Sequence, residues 1–314
     1  MSRTVTQQTQ VSDAIHKLLS LYYGLRKWLL KQSWFTSTVL PALPRRVRWI
    51  VRKLYFLPAD LMERFAGERA DLVPPMSTIF TGSVDDFADT GRDLVAHLVD
   101  LGCLRPDSTV LDIGSGMGRL AVALVEYRTW QGSYEGLEIV PTGVNWCNEN
   151  IAAKHPAFRF TLADIYNKEY NPAGRLAASH YRFPYDDDTF DLVVLCSVFT
   201  HMLAEDIEHY VAEISRVLRR GGRCFATYSL IDPESVRQME AGQSERHFMP
   251  VGRLWVVDPK VPELAVAHEE AFVRGLFARY GHSCRVHHGS WSGRALSSDD
   301  LPGFEQDVVV TTRG

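Results

Sequence analysis

From residue 85 onward, short apolar runs alternate with helix-period stripes. Thr109-Val110-Leu111-Asp112-Ile113 is bounded by Asp107-Ser108 and by glycine, which predicts a strand buried on both faces and then a helix over Leu120–Tyr127. Tyr134–Ile139, Phe158–Leu162 and Phe190–Ser197 read as further strands, and a fifth runs from Gly221-Gly222 to Tyr228. Asp85–Leu101, Val144–Lys154 and Ala204–Arg219 read as helices between them. In the last, Ile207, Tyr210, Val211, Ile214, Val217 and Leu218 form one apolar stripe that Gly221-Gly222 ends. This alternation predicts an α/β fold, a mostly parallel sheet of seven strands with helices on both faces. A helix over Glu269–Tyr280 and paired strands at Cys284–His288 and Asp307–Thr312 close it. Asp164–Asp188 is longer than usual connections, and residues 231–262 form an irregular stretch just past the fifth strand, read as a substrate lid inserted in the domain.

The N-terminal pattern differs. Leu18, Leu19, Leu21, Tyr22, Tyr23, Leu25, Trp28, Leu29 and Leu30 interleave with Arg26, Lys27 and Lys31 near helical period. Residues 1–60 hold ten Lys or Arg against Asp13 and Asp60, a balance of +8, whereas the net charge of −4 leaves −12 for the rest. Such a split directs the N-terminal part to something anionic. The longest uncharged run there, residues 32–44, contains two prolines and is too short for the roughly 20 residues of a membrane span. Two readings follow for this part: a helical lid packed on the core, or peripheral membrane contact through residues 12–60, with Trp34, Phe35, Trp49, Tyr55 and Phe56 as interfacial anchors. Pro74-Pro75 places the boundary, giving a basic helical arm over residues 1–75 and a main domain over 76–314. The five cysteines are scattered and form no CxxC pair, so a disulfide framework is not expected and a reducing, cytoplasmic setting is.

The chemistry concentrates after the first strand. Asp112-Ile113-Gly114-Ser115-Gly116-Met117-Gly118 places three glycines at alternate positions where strand turns to helix. Glycine permits the sharp turn and a close ligand, and the helix start offers unpaired amide donors. Dinucleotide folds use GxGxxG, whereas this loop is GxGxG with an acid two residues before the first glycine, which argues against a nicotinamide cofactor.

The loop resembles the first motif of class I S-adenosylmethionine (SAM) dependent methyltransferases, and over roughly residues 80–314 the later elements agree in order. The resemblance implies SAM as cofactor and assigns contacts to Asp112, Gly114, Ser115, Gly116, Gly118, Glu138, Ile139, Asp164, Ile165 and Ser197. Glu138 ends the second strand, where an acid accepts ribose hydroxyls, and Asp164 follows the third, near the adenine. It also implies a methyl acceptor of the glycan, glycolipid or small-metabolite kind.

An oxygen nucleophile must lose a proton, and histidine titrates near neutrality. Ser197-Val198-Phe199-Thr200-His201 follows the fourth strand, which makes His201 the candidate base, although a packing or capping role also fits. Tyr228, His247 and Trp291 are the candidate substrate contacts. No metal is expected, as no ligand spacing stands out. The acidic core lacks a phosphate-tracking groove, which disfavours nucleic acid. Two rivals are aminopropyl transfer, suggested by Asp186-Asp187-Asp188, and a non-catalytic SAM-binding module acting through the basic arm.

Overall fold

The computed structural model describes residues 45–66, 70–82, 84, 86–168, 170–252, 254–301 and 303–314, with positions 17, 20, 21 and 24. The helical reading of residues 18–31, the anchors Trp34 and Phe35, and the side chain of Trp49 lie outside this set.

The chain divides into a unit of residues 1–87 and one of residues 88–314. In the first, α1 (Arg45–Ala66) buries Phe56, Ala59 and Asp60. Asp60 accepts the backbone N–H groups of Met76 at 2.7 Å and Ser77 at 3.0 Å, and Arg52 donates to the Ile79 carbonyl. These bonds tie residues 76–79, just past Pro74-Pro75, to α1. Phe56 is therefore turned inward and is no interfacial anchor, while Tyr55 is half-buried.

The second unit is built on β1 (Thr109–Ile113), β2 (Ser133–Glu138), β3 (Phe158–Leu162), β4 (Phe190–Leu195), β5 (Leu218–Tyr228), β10 (His282–His287) and β11 (Asp307–Arg313), in the order β10-β11-β5-β4-β1-β2-β3. Only β11 runs antiparallel to its neighbours. The helices are α2 (Phe87–Asp100), α3 (Arg119–Glu126), α4 (Pro141–Cys147), α5 (Ala204–Val217), α6 (Pro233–Glu240) and α7 (Glu270–Arg279). Side chains alternate along each strand. Leu111, Ile113, Val193, Leu195, Ala226 and Tyr228 form one core with Ile207, Val211 and Ile214 of α5 and Val273 and Phe277 of α7. The intervening Val110, Asp112, Leu192, Val194 and Phe225 face the other way and are buried as well.

Two expected elements differ. The helix predicted to Arg219 stops at Val217, and β5 already begins at Leu218. Gly221 and Gly222 thus break no helix; they lie where the register slips from Phe190↔Leu218 to Leu192↔Arg223, with Gly221 at φ 74° in a bulge. The stretch read as irregular is a small subdomain. α6 is followed by β7 (Met249–Val251), β8 (Leu254–Val256) and β9 (Val266–Glu269), which join β6 (Leu230–Ile231) in a sheet ordered β6-β9-β8-β7. Ile231, Met239, Phe248, Ala267 and Trp291 are its core. Among the described residues no helix is long and apolar enough to cross a membrane.

Candidate cofactor and active site

The strand order reverses between β1 and β4, and open α/β sheets bind ligands at the carboxyl edge of such a switch point. The glycine loop lies there. Gly114, Gly116 and Gly118 have φ of 78°, 57° and 77°, backbone that residues with a Cβ rarely adopt. A side chain would also force neighbours to shift: a Cβ on Gly114 would lie 2.5 Å from Val198 Cγ2, and one on Gly118 2.7 Å from Ile151 Cδ1.

Of the two acids beside this loop, only Glu138 holds it. Glu138, buried at the end of β2, accepts the N–H of Gly116 at 2.7 Å through Oε2, and those of Ile139 at 2.7 Å and Val140 at 2.8 Å through Oε1. Burial raises its carboxyl above the usual range and the three N–H donors oppose that rise. A carboxylate has about four acceptor positions, so one remains for a ribose hydroxyl. Asp112 does not reach the loop amides. Its Oδ2 accepts the Tyr134 hydroxyl at 2.5 Å, and burial pushes its carboxyl up to about 7, against that hydrogen bond and with the Glu138 charge adding.

Ser115 is buried, and its Oγ lacks a protein partner. A glycine-rich turn, an acid with acceptor capacity left and a buried hydroxyl fit an adenosyl ligand.

Around this turn, Asp164 pairs with Arg175 through its carboxylate and accepts the Leu176 N–H on its carbonyl. Ile165 is buried, and its carbonyl accepts Asn171 Nδ2 at 3.0 Å. Ile139 is half-buried before α4. Ser197 has φ 56°, rare for a residue with a side chain. It is held by its N–H donating to Thr227 Oγ1 at 2.7 Å and its hydroxyl donating to Gln306 Oε1 at 3.0 Å.

His201 closes a 3-10 turn, Phe199–His201, just past β4. Its Nδ1 lies 3.0 Å from the Glu263 carbonyl, which can only accept, so the hydrogen sits on Nδ1 and the basic lone pair on Nε2. Tyr170 packs edge-on to the ring, centroids 5.8 Å apart. Beneath it His268, its pKa lowered to about 4 by burial and hence neutral, donates from Nε2 to the Phe199 carbonyl at 3.2 Å.

The three substrate candidates separate. His247 is exposed. Tyr228 and Trp291 have no exposed surface and belong to the core: Tyr228 stacks on Phe199 at 5.0 Å, and Trp291 packs on Phe248 and donates from Nε1 to Asp307 Oδ2 at 2.6 Å. In this conformation neither offers a face to a sugar ring. Asp307 also accepts the N–H of Leu230 at 2.7 Å and of Gly289 at 2.9 Å. The residues that hold Ser197, Asp112 and the His201 turn, namely Thr227 of β5, Gln306 just before β11, Tyr134 of β2 and His268 of β9, lie far off in sequence, and no local pattern flags them.

The fold also brings together Asp232, Glu270 and His288, with one potential ligand atom from each within 4.8 Å of the others. Both carboxylates already have arginine partners, whereas His288 Nδ1 is buried without a hydrogen-bond partner. Arg294 forks onto Asp232 at 2.7 and 3.1 Å, Arg274 bonds Glu270 at 2.6 Å, and Asp307 lies 3.5 Å from His288 Nδ1.

Residues 111–226, from β1 into β5, match the methyltransferase domain family. The chain thus carries a SAM-dependent methyltransferase domain, and SAM is its cofactor. Among solved structures, the PH0226 protein from Pyrococcus horikoshii OT3 is 15% identical and superposes with a TM-score of 0.50, over 77% of this chain and 97% of that one. A putative O-methyltransferase from Nostoc punctiforme is 14% identical with a TM-score of 0.48, over 84% and 69%. A SAM-dependent methyltransferase from Methanosarcina mazei is 16% identical with a TM-score of 0.44, over 68% and 96%.

Proposed function

We propose that this methyltransferase acts on a hydroxyl of a glycan, glycolipid or small metabolite, with His201 as general base, in the cytoplasm and peripheral to the inner face of the membrane. The observation that carries the reading is the 3.0 Å approach of His201 Nδ1 to the Glu263 carbonyl just past β4, which in the neutral ring makes Nε2 the basic nitrogen. The bound cofactor supplies a methyl group on a sulfonium. As that methyl group left sulfur for the acceptor oxygen, with the bonding pair kept by sulfur, His201 Nε2 would take the hydroxyl proton. The rest of the task is orientation, which Glu138, Ser197 and the glycine loop serve.

Aminopropyl transfer is less well supported. It would want an acidic pocket for a polyamine, yet Asp187 pairs with Arg216 and Asp188 with Arg313.

His201→Gln tests the base. It should bind S-adenosylhomocysteine in calorimetry as the parent does, while turnover falls by about 10²–10⁴-fold. Full turnover in that variant would remove His201 from the chemistry.

A further inference from the structure

α1 carries a continuous apolar stripe that the described structure leaves in water. Ile50, Leu54, Leu57, Leu61 and Phe65 are 58, 63, 45, 44 and 81% exposed, and Val47 and Val51 extend the same stripe. Their spacing of three and four residues sets them on one side of the helix, over about 27 Å from residue 47 to residue 65. The opposite side is already occupied, with Phe56 and Ala59 buried and Arg52 over the Phe56 ring. Lys53 and Arg64 are exposed about a quarter-turn from the centre of the stripe. Of the two acids on the helix, Asp60 is buried on the Met76 and Ser77 amides, and Glu63 lies about half a turn from the stripe.

We propose that this face of α1 docks in the plane of an anionic lipid bilayer, with Ile50, Leu54, Leu57, Leu61 and Phe65 entering the interface and Lys53 and Arg64 meeting lipid phosphates. The inference rests on the membrane-peripheral reading above and adds the face, its residues and the charge of the lipid.

Exposed apolar surface of this extent marks an interaction site. A long amphipathic helix with basic flanks is the form that lies in a headgroup layer. Charge selects the occupant. A second copy would bring two basic faces together, whereas acidic headgroups offer the opposite charge along the whole stripe.

Cosedimentation of the full chain with phosphatidylcholine vesicles, with and without phosphatidylglycerol, tests this. The parent should sediment with the anionic vesicles and be released by salt. The pair Leu54→Gln with Leu61→Gln should lower partitioning at least about tenfold, since each leucine loses its transfer into the interface. The pair Lys53→Gln with Arg64→Gln should lower it about as far and weaken the salt dependence. All four positions are exposed, and circular dichroism confirms that the variants remain folded. A parent that sediments while both pairs bind as it does overturns the face and leaves the membrane reading standing. A parent that binds neither vesicle at low salt overturns both. A dimer in sedimentation velocity that the leucine pair dissolves, without vesicle binding, gives the stripe to a second copy and also overturns the proposal.

Discussion

Asp112 and Glu138 show how little a residue's chemistry is fixed by its name. Both lie at the carboxyl ends of neighbouring strands and both are buried, yet Glu138 takes three N–H donors and Asp112 takes one hydroxyl. Spacing picked out both acids, because strand length and the glycine turn are local features. It could not say that Tyr134, twenty-two positions on, would occupy Asp112. A carboxyl held near 7 in the folded chain and at about 3.9 when unfolded gives stability that is complete at low pH and is lost as pH rises toward 7. Asp112→Asn keeps an oxygen acceptor for Tyr134 and removes that titration. The melting temperature of the variant without cofactor should therefore gain on that of the parent between pH 5 and pH 8. Parallel melting curves across that window would exclude the account.

At the scale of elements, the sequence located the seven strands of the main sheet and the helices packed on it but not α6 or β6–β9, since period-two and 3.6-period burial mark long elements in the order of apolar residues and short strands carry too few positions to show a period. Partners in space were less legible. Asp307 opens β11, and its carboxylate joins the start of that strand to β6 and to the Gly289–Trp291 turn through three donors. Nothing near Asp307 in sequence announces those contacts. Asp307→Ala would strand buried N–H groups, each worth about 1–3 kcal/mol, so chemical denaturation should report a loss of at least about 3 kcal/mol. The Gly221-Gly222 pair teaches a related point. Glycines after an apolar stripe signal a helix end, but here pairing with β4 claimed Leu218 first and turned the glycines into a bulge.

For the whole molecule, acid lability should come from two histidines buried in neutral form. His268 holds the Phe199 carbonyl, and His282 sits between Ser215 Oγ at 2.9 Å and Thr311 Oγ1 at 3.0 Å; burial lowers both to about 4. Their unfolded forms bind protons from about pH 6.5 downward, so the stability they confer is present above that pH and is lost as pH falls toward 4. A denaturation series should show a shallower decline across this window in His282→Gln than in the parent, and equal slopes would remove His282 as a source. Sequence by itself determined the order of the main-sheet strands and their helices, the glycine-rich turn, the acids beside it and the basic character of the N-terminal part, because each is a local pattern set by backbone sterics, burial period or composition. Tertiary structure alone decided which acid grips the loop, which ring nitrogen of His201 is basic, that Tyr228 and Trp291 are core and that α1 turns Phe56 inward and Leu54 outward. Those outcomes depend on which distant groups compete for the same donors and the same buried space, and that competition exists only once the chain has folded.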